Sequence, residues 1–286
     1  MTVSEETGTG AILNVLRSAR QYDLEQPRYV GAPTFPAHHP GYLYMLHRRH
    51  EPGLGEARTS ASGTIVMAEH SGTHIDALCH QAENLLMFGG TKADASVQGP
   101  RGFAVLAARD IPVIAGRGVL LDVATAREGG RLDAREQVGA GDLARAEQRQ
   151  GIEVRQGDIV LVRTGTGRLW HRPDAYLDGA AIGREASEWL AERRPVAVGA
   201  DNVAWDLPGH VDPNLGSLPG HTVLMVRNGI YIIENVFLEE LARDRIYECV
   251  FLCVPLKLEG ATGSPVRPLA LVPETTSTLP QMSPPA

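Results

Sequence analysis

Residues 69–80 read Glu-His-Ser-Gly-Thr-His-Ile-Asp-Ala-Leu-Cys-His and place three of the chain's ten histidines and one aspartate within eleven residues. Histidine and aspartate side chains are typical ligands of zinc, manganese and similar divalent metals. Residues of this kind rarely cluster so closely when they are unrelated core and surface side chains. The segment therefore predicts a metal centre with His70, His74 and Asp76 as ligands and His80 beside it as an acid or base.

The backbone conformation of this segment decides whether the side chains can converge. In a helix, His70 and His74 would share a face, but Asp76 would lie about 200° around the helix from His74. In an extended chain, alternate side chains face the same way. His70, His74 and Asp76 would then all project from one face. We therefore predict a strand end that runs into a turn, where Gly72 lets the backbone approach the ion.

The same residues resemble the signature His-x-Gly-Thr-His-x-Asp-x-Pro-x-His of the metal-dependent cyclase-type amidohydrolases. That family includes bacterial kynurenine formamidases and isatin hydrolases. The chain departs from the signature at Leu78, where the family has proline. The resemblance implies that His70, His74 and Asp76 bind the metal and that His80 is the catalytic acid or base.

The resemblance extends over roughly residues 22–272 and implies a swivelling β/β/α fold with a mixed sheet. It also implies a homodimer or homotetramer. The strand and helix patterns alone support only a mixed, α+β chain. We predict an N-terminal extension with a helix over residues 1–21, the hydrolase domain over residues 22–272, and a disordered tail over residues 273–286.

A second pair of candidate ligands lies near the C-terminus. Apolar runs flank Asn228 and Gly229, which is a strong hairpin signal. A two-residue turn there would bring His221 and Glu234 to one face, about 7–8 Å apart. A buried carboxylate is costly unless it is paired or bound to metal, so Glu234 is a candidate ligand and catalytic residue; alternatively, it ends the strand and meets solvent.

In the family that the chain resembles, a histidine and a Glu-Asn pair at about this spacing bind a second metal. By resemblance, the chain is therefore expected to hold Zn²⁺ or Mn²⁺, with one or two ions per chain.

Three residues are candidates for substrate contacts. Asp201 ends a predicted strand over residues 195–201, where it can act in the site or cap the following turn. Trp205 lies just before a Pro/Gly-rich loop, residues 207–220, which is a candidate lid. Phe35 belongs to a predicted loop over residues 31–55 that either lines the pocket or makes an oligomer contact. Aromatic residues at these positions could equally pack in the core.

Composition excludes several classes of function. The 286 residues are 43% hydrophobic and 21% charged, which is ordinary for a globular protein. A net charge of −7 argues against binding to nucleic acid or to an acidic membrane. No run reaches the ~20 apolar residues of a membrane span. Three cysteines and a polar, acidic N-terminus without the features of a signal peptide favour the cytoplasm.

Together these features predict a metal-dependent hydrolase that cleaves an amide, formamide, lactam or lactone carbonyl of a small molecule. A metal-activated water would attack and His80 would move the proton. Two alternatives stay open, a metal-dependent cyclase or dehydratase and a non-catalytic metal- or ligand-binding module. A serine hydrolase is disfavoured, because the sequence has no Gly-x-Ser-x-Gly elbow.

Overall fold

The computed structural model describes residues 8–52 and 57–273 and shows one mixed sheet of nine strands. The sheet includes strands from both ends of the chain, and helices pack on it, so the predicted α+β class is confirmed. Across the sheet the strands are Ala19–Asp23, Leu269–Pro273, Glu248–Cys253, Ile114–Asp122, Ile159–Arg163, Ala197–Ala200, Tyr231–Glu234, His74–Asp76 and Gly263–Pro265.

The middle of the sheet is parallel and its edges are antiparallel. The four strands from Ile114–Asp122 to Tyr231–Glu234 pair in parallel, while the strands on either side of them run the opposite way. The central strand Ile159–Arg163 reads Ile-Val-Leu-Val-Arg and is buried along its whole length. A continuous aliphatic run of this kind is typical of a parallel strand that is covered on both faces.

Each face of the sheet carries its own core. Val160 and Val162 pack towards helices on one face, among them Ala140–Gln150 and Arg184–Arg193, and Leu161 packs on the opposite face. The remaining helices are Gly8–Ser18, Pro173–Leu177, Pro219–His221 and Glu239–Arg243, with a π-helical segment over Thr222–Arg227. Short 3-10 turns cover Pro36–His38, Phe88–Gly90, Ala108–Asp110, Ala124–Ala126, Glu128–Gly130 and Thr166–Leu169. In the described part of the chain, no helix has the length and apolar character needed to cross a membrane.

Five two-stranded ladders complete the described secondary structure. The longest pairs Tyr42–Arg48 with Ser62–Met67. The prediction of a loop over residues 31–55 is therefore wrong for the first of these strands, and residues 53–55 lie outside the described part. The other ladders pair Leu86–Met87 with Thr91–Lys92, Gln98–Gly99 with Gly102–Phe103, Gln137–Val138 with Ala181–Ile182, and Val211–Asp212 with Gly216–Ser217.

The predicted hairpin around Asn228 and Gly229 is wrong. Residues 219–227 are helical, and the strand after them pairs with Ala197–Ala200 and His74–Asp76 instead. A short, fully buried apolar run fits a covered helix as well as a strand. Pro219 in the first helical turn favours the helix, and Gly229, with a φ of 66°, follows its end.

The N-terminal helix ends before the predicted boundary at residue 21. The N-terminal helix runs from Gly8 to Ser18, and the chain then enters the sheet. The helix Ala140–Gln150 begins after Gly139, whose N–H is accepted by Asp142 in the first helical turn at 2.9 Å. The predicted disordered tail lies, from residue 274 onwards, outside the described residues, and the domain bounds stay a prediction.

A buried ion-pair network secures the carboxyl end of the central strand. Arg163 is 2% exposed and donates to Asp122 at 2.7 Å and to Glu239 at 2.9 Å. Its guanidinium also donates to the carbonyl of Gly130 at 3.0 Å. Removing one partner from a buried ion pair leaves an uncompensated charge away from water.

Arg163→Met should therefore destabilise the fold by about 3–5 kcal/mol, because the buried Asp122 carboxylate loses its cationic partner and Glu239 keeps only its ion pair with Arg168. The free energy of unfolding from urea titration measures this loss. Arg243→Met is the matched control, since that side chain is 60% exposed and solvent screens its ion pairs. Equal losses in the two variants would contradict a structural role for the buried network.

Candidate metal centre

Strand register brings the first ligands together. The strand that carries His74 and Asp76 lies between two antiparallel neighbours, and His74 is the direct partner of Glu234. Residues directly opposite in such a pair project from the same face, as do residues two apart on one strand. All three polar side chains therefore share a face, while Ile75 and its partner Ile233 point into the core behind it.

Five buried side chains converge on one small space. His74 Nε2 lies 3.5 Å from Asp76 Oδ1 and 3.4 Å from Glu234 Oε2. His221 Nε2 lies 3.5 Å from Asp76 Oδ2 and 3.4 Å from Glu234 Oε1. His70 Nδ1 is 2.8 Å from Asp76 Oδ1. The structure thus brings together all five residues that the sequence analysis named as candidate ligands, and none of them is more than 5% exposed.

Unpaired polar atoms show that this space suits a cation. Among the described residues, His70 Nδ1 and both Asp76 oxygens are buried without a hydrogen-bond partner. Leaving such atoms unpaired costs free energy. A positive ion between them would accept their lone pairs, and imidazole and carboxylate are donors that divalent metals prefer. The cluster therefore fits a divalent metal ion.

Hydrogen bonds orient two of the histidines. His74 Nδ1 donates to the carbonyl of Gly72 at 2.8 Å, and His221 Nδ1 donates to Asp206 at 2.7 Å. Both rings therefore turn Nε2 into the cluster with its lone pair free. Burial alone would lower the pKa of His221, but the neighbouring carboxylates of Asp206, Asp76 and Glu234 raise it well above the usual value. A metal ion would therefore bind at Nε2 in exchange for a proton.

Asp206 is the residue that sequence analysis missed as part of the site. Its carboxylate also accepts the backbone N–H groups of Gly220 at 2.7 Å and His221 at 3.0 Å. In the sequence, Asp206 is marked only by its position after Trp205, at the start of a Pro/Gly-rich loop. That position does not predict a contact with His221, which lies fifteen residues further along the chain.

Trp205 contacts the site through its backbone. Its N–H donates to Glu234 Oε1 at 2.8 Å and so fixes that carboxylate. The indole is fully buried in the core, where its N–H donates to Ser187 at 2.9 Å. The side chain is therefore placed in the core and not on a substrate pocket as predicted, because its polar end already has an internal partner.

Asp201 occupies a structural position. It is fully buried, and its oxygens accept the N–H and hydroxyl of Thr164 at 2.8 and 2.7 Å. They also accept the N–H groups of Gly165 and Gly167 at 2.8 and 3.4 Å. These contacts place the carboxylate on residues 164–167, the turn after the central strand, whereas the predicted capping alternative concerned the turn that follows Asp201 itself.

Two hydrogen bonds join the segment before the strand His74–Asp76 to the residue after the strand Tyr231–Glu234. Thr73 donates to the carbonyl of Asn235 at 2.7 Å, and the Asn235 amide donates to Gly72 at 3.0 Å. Gly72 has a φ of 63°, and a Cβ there would lie 2.4 Å from the Arg28 guanidinium. The prediction that Gly72 admits the backbone to the ion is therefore corrected, because the space beside it holds Arg28.

His80 stands at the edge of the cluster. Its ring centroid is 4.1 Å from that of His70, and its ligand atom lies within 4.8 Å of those of Asp76 and His221. Burial lowers the pKa of His80 to about 3, against the opposing attraction of Asp76. Its imidazole is therefore neutral near pH 7 and has a lone pair that can accept a proton.

A cavity of about 610 Å³ opens over the cluster. His38 is half-buried on the cavity wall, and its ring stacks on that of His70 with 4.7 Å between the ring centroids. The ring centroid of Phe35 lies 5.8 Å from that of His38. The loop over residues 207–220, a predicted lid, contributes none of the described lining residues. The cavity is lined by Ala37, His38, His39, Met67, Ala68, Glu69, His70, His80, Leu256, Leu258, Thr262 and Pro265.

Comparison with known proteins agrees with this geometry. The sequence profile of the family described as "Putative cyclase" matches residues 22–207. The chain belongs to this cyclase family. The resemblance drawn from residues 70–80 is therefore confirmed.

Two of the three individual relatives described here cover most of the chain. It is 30% identical over 253 residues to a kynurenine formamidase of Paracidovorax citrulli, which covers 88% of this chain and 96% of that protein. It is 28% identical over 142 residues to an isatin hydrolase of Roseibium aggregatum, covering 46% and 52% of the two chains. A crystal structure of a novel cyclase superposes with a TM-score of 0.79 at 28% identity, covering 91% and 89%.

Asp206→Asn should weaken zinc binding by about 10- to 100-fold, because an amide offers one uncharged oxygen and an NH₂ group in place of the two carboxylate oxygens that accept three N–H groups at Gly220 and His221. Competition with a chromophoric chelator measures the affinity. Asp212→Asn is the matched control, since that carboxylate accepts N–H groups within its own surface turn. The orienting role of Asp206 fails if the two variants bind zinc equally well.

Proposed function

We propose that the chain is a metal-dependent hydrolase that cleaves the C–N bond of a small amide or formamide, with lactams and lactones as related candidates. The observation that carries this proposal is the inward-facing set of lone pairs on His70 and Asp76, buried without partners beside His80. The kynurenine formamidase relative, similar over most of both chains, supports the reaction class.

The arrangement of oxygens supports a site for one or two ions per chain, Zn²⁺ or Mn²⁺. Asp76 turns Oδ1 to His70 and His74 and Oδ2 to His221. Glu234 likewise faces His74 with one oxygen and His221 with the other. Each carboxylate can therefore bridge two neighbouring positions. A bound divalent ion supplies a water of lowered pKa and polarises the substrate carbonyl.

His80 is the proposed acid and base. Its neutral ring accepts a proton from the attacking water and returns it to the leaving nitrogen, so that the amine departs uncharged. Glu234 is held by the Trp205 N–H, and it keeps the histidines on either side of it in place. The ring of His80 is also part of the cavity wall, which places it against a bound substrate.

The cavity supports a small-molecule substrate. A volume of about 610 Å³ is within the usual range for small-molecule sites. Phe35 remains a proposed substrate contact through its position behind His38. A cytoplasmic location is proposed because all three cysteines, Cys79, Cys249 and Cys253, are free thiols.

Two histidine variants separate metal binding from proton transfer. His74→Ala should lose the metal and all activity, whereas His80→Ala should keep the metal and lose about 100- to 10,000-fold in turnover. Elemental analysis counts zinc and manganese per chain, and a panel of small formamides, cyclic amides and lactones reports hydrolysis. His210→Ala is the control, because that residue lines a different cavity.

Three results would count against the proposal. One is the absence of stoichiometric metal after dialysis against zinc and manganese. The second is full activity of His80→Ala, which would remove His80 from the mechanism. The third is a loaded site that hydrolyses none of the panel, which would favour a binding module.

A homo-oligomer is proposed from the hairpin Tyr42–Arg48 and Ser62–Met67. Both of its faces expose large apolar side chains, with Met45 62%, Ile65 55% and Val66 55% exposed. A lone two-stranded hairpin is at best marginally stable in water, and exposed apolar patches of this kind mark contact sites. The chain's net charge of −7 also favours docking of the basic end of the hairpin, with Arg48 and Arg49, onto a second copy.

Ile65→Lys should reduce the molecular mass in solution from that of an oligomer towards that of a monomer, because it places a charge in the covered hairpin. Light scattering after size-exclusion chromatography measures the mass. Val113→Lys is the control, since Val113 is a 58% exposed apolar residue outside the hairpin. A monomeric wild-type protein, or an unchanged mass in the Ile65 variant, would refute this interface.

A further inference from the structure

His70 is held from outside the cluster by two residues that the proposed function does not use. Its Nε2 lies 2.8 Å from the hydroxyl of Thr262. The same hydroxyl donates to Glu69 Oε1, which also accepts the Thr262 backbone N–H at 3.0 Å. Glu69 and Thr262 both line the cavity beside His70.

The direction of each proton follows from the chemistry of the three groups. The Glu69 carboxylate can only accept, so the single hydroxyl proton of Thr262 points to it. The Thr262 oxygen is then an acceptor towards His70, and His70 Nε2 must carry the ring proton. Neutral His70 therefore has its lone pair on Nδ1, the atom that faces Asp76 without a hydrogen bond.

This arrangement makes His70 different from the other histidines of the cluster. His74 and His221 donate through Nδ1 and turn Nε2 inwards. His70 donates through Nε2 and turns Nδ1 inwards. The ring also packs against Gly263, where a Cβ would lie 2.7 Å from His70 Cε1. The position next to the ring therefore has no room for a side chain.

We propose that Thr262 and Glu69 are positioning residues that select Nδ1 of His70 as a metal ligand through the relay His70 Nε2–H, Thr262 O–H, Glu69 carboxylate. Partners of this kind set the tautomer and ring orientation of a metal-bound histidine. The inference rests on the metal-binding part of the proposed function and is independent of which bond the enzyme cleaves.

Cadmium-113 NMR of the full chain with ¹⁵N-labelled histidine tests the relay directly. Scalar coupling between ¹¹³Cd²⁺ and ¹⁵N identifies which ring nitrogen binds the ion. In the wild-type protein we expect coupling to Nδ1 of His70 and to Nε2 of His74. Thr262→Val should lose the Nδ1 coupling or bind Cd²⁺ about 10- to 100-fold more weakly.

Two further variants keep the test decisive. Thr262→Ser retains the hydroxyl and should preserve both coupling and affinity, which separates the relay from simple packing. Glu69→Leu should act like the valine variant, because the released hydroxyl can then donate to Nε2 and move the ring proton to Nδ1.

Coordination of His70 through Nε2 in the wild-type protein would overturn the proposal, as would unchanged coupling and affinity in Thr262→Val. If the wild-type protein bound no Cd²⁺ at all, the metal centre would fail and this inference with it. If instead the relay failed while the metal bound and hydrolysis proceeded, the proposed function would stand.

Discussion

The pairing of His74 with Glu234 across two neighbouring strands is the constraint on which the site depends. Side chains alternate along a strand, so a slip by one residue would turn the polar set into the core and Ile75 towards the cavity. The buried isoleucines behind the site oppose that slip, since they would lose their apolar surroundings. The hydrophobic core thereby sets the register that brings metal-type ligands together.

The site concentrates buried charge and relies on mutual compensation. Asp76 and Glu234 are removed from water, which would be unfavourable for isolated carboxylates. Burial alone would raise the pKa of Asp76, yet the surrounding histidines hold it well below its usual value. Asp76 therefore remains ionised, as a ligand of a cation must be. Polar sites of this kind commonly reduce stability locally and depend on the rest of the fold for support.

Sequence analysis found the parts of the site that are local in sequence. The spacing from His70 to His80 predicted the first ligands, because alternation along an extended segment depends only on neighbours. Glu234 and His221 were found through a hairpin that does not exist, and they meet because a helix and a strand pack beside each other. The orienting roles of Asp206 and Thr262 could not be predicted from the sequence, because only tertiary packing brings them to His221 and His70. Burial likewise decided between the two interpretations of Trp205.

The strand Gly263–Pro265 completes the sheet edge beside the ligand strand, and it arrives late in the chain. Thr262, whose hydroxyl contacts His70, lies 192 residues after His70 in the sequence. During synthesis the ligand segment therefore emerges long before its final neighbour, and closing so long a loop is slow. Until Thr262 has been made, His70 lacks the hydroxyl group that contacts its Nε2. The chain topology thus makes completion of this side of the site a late step of synthesis.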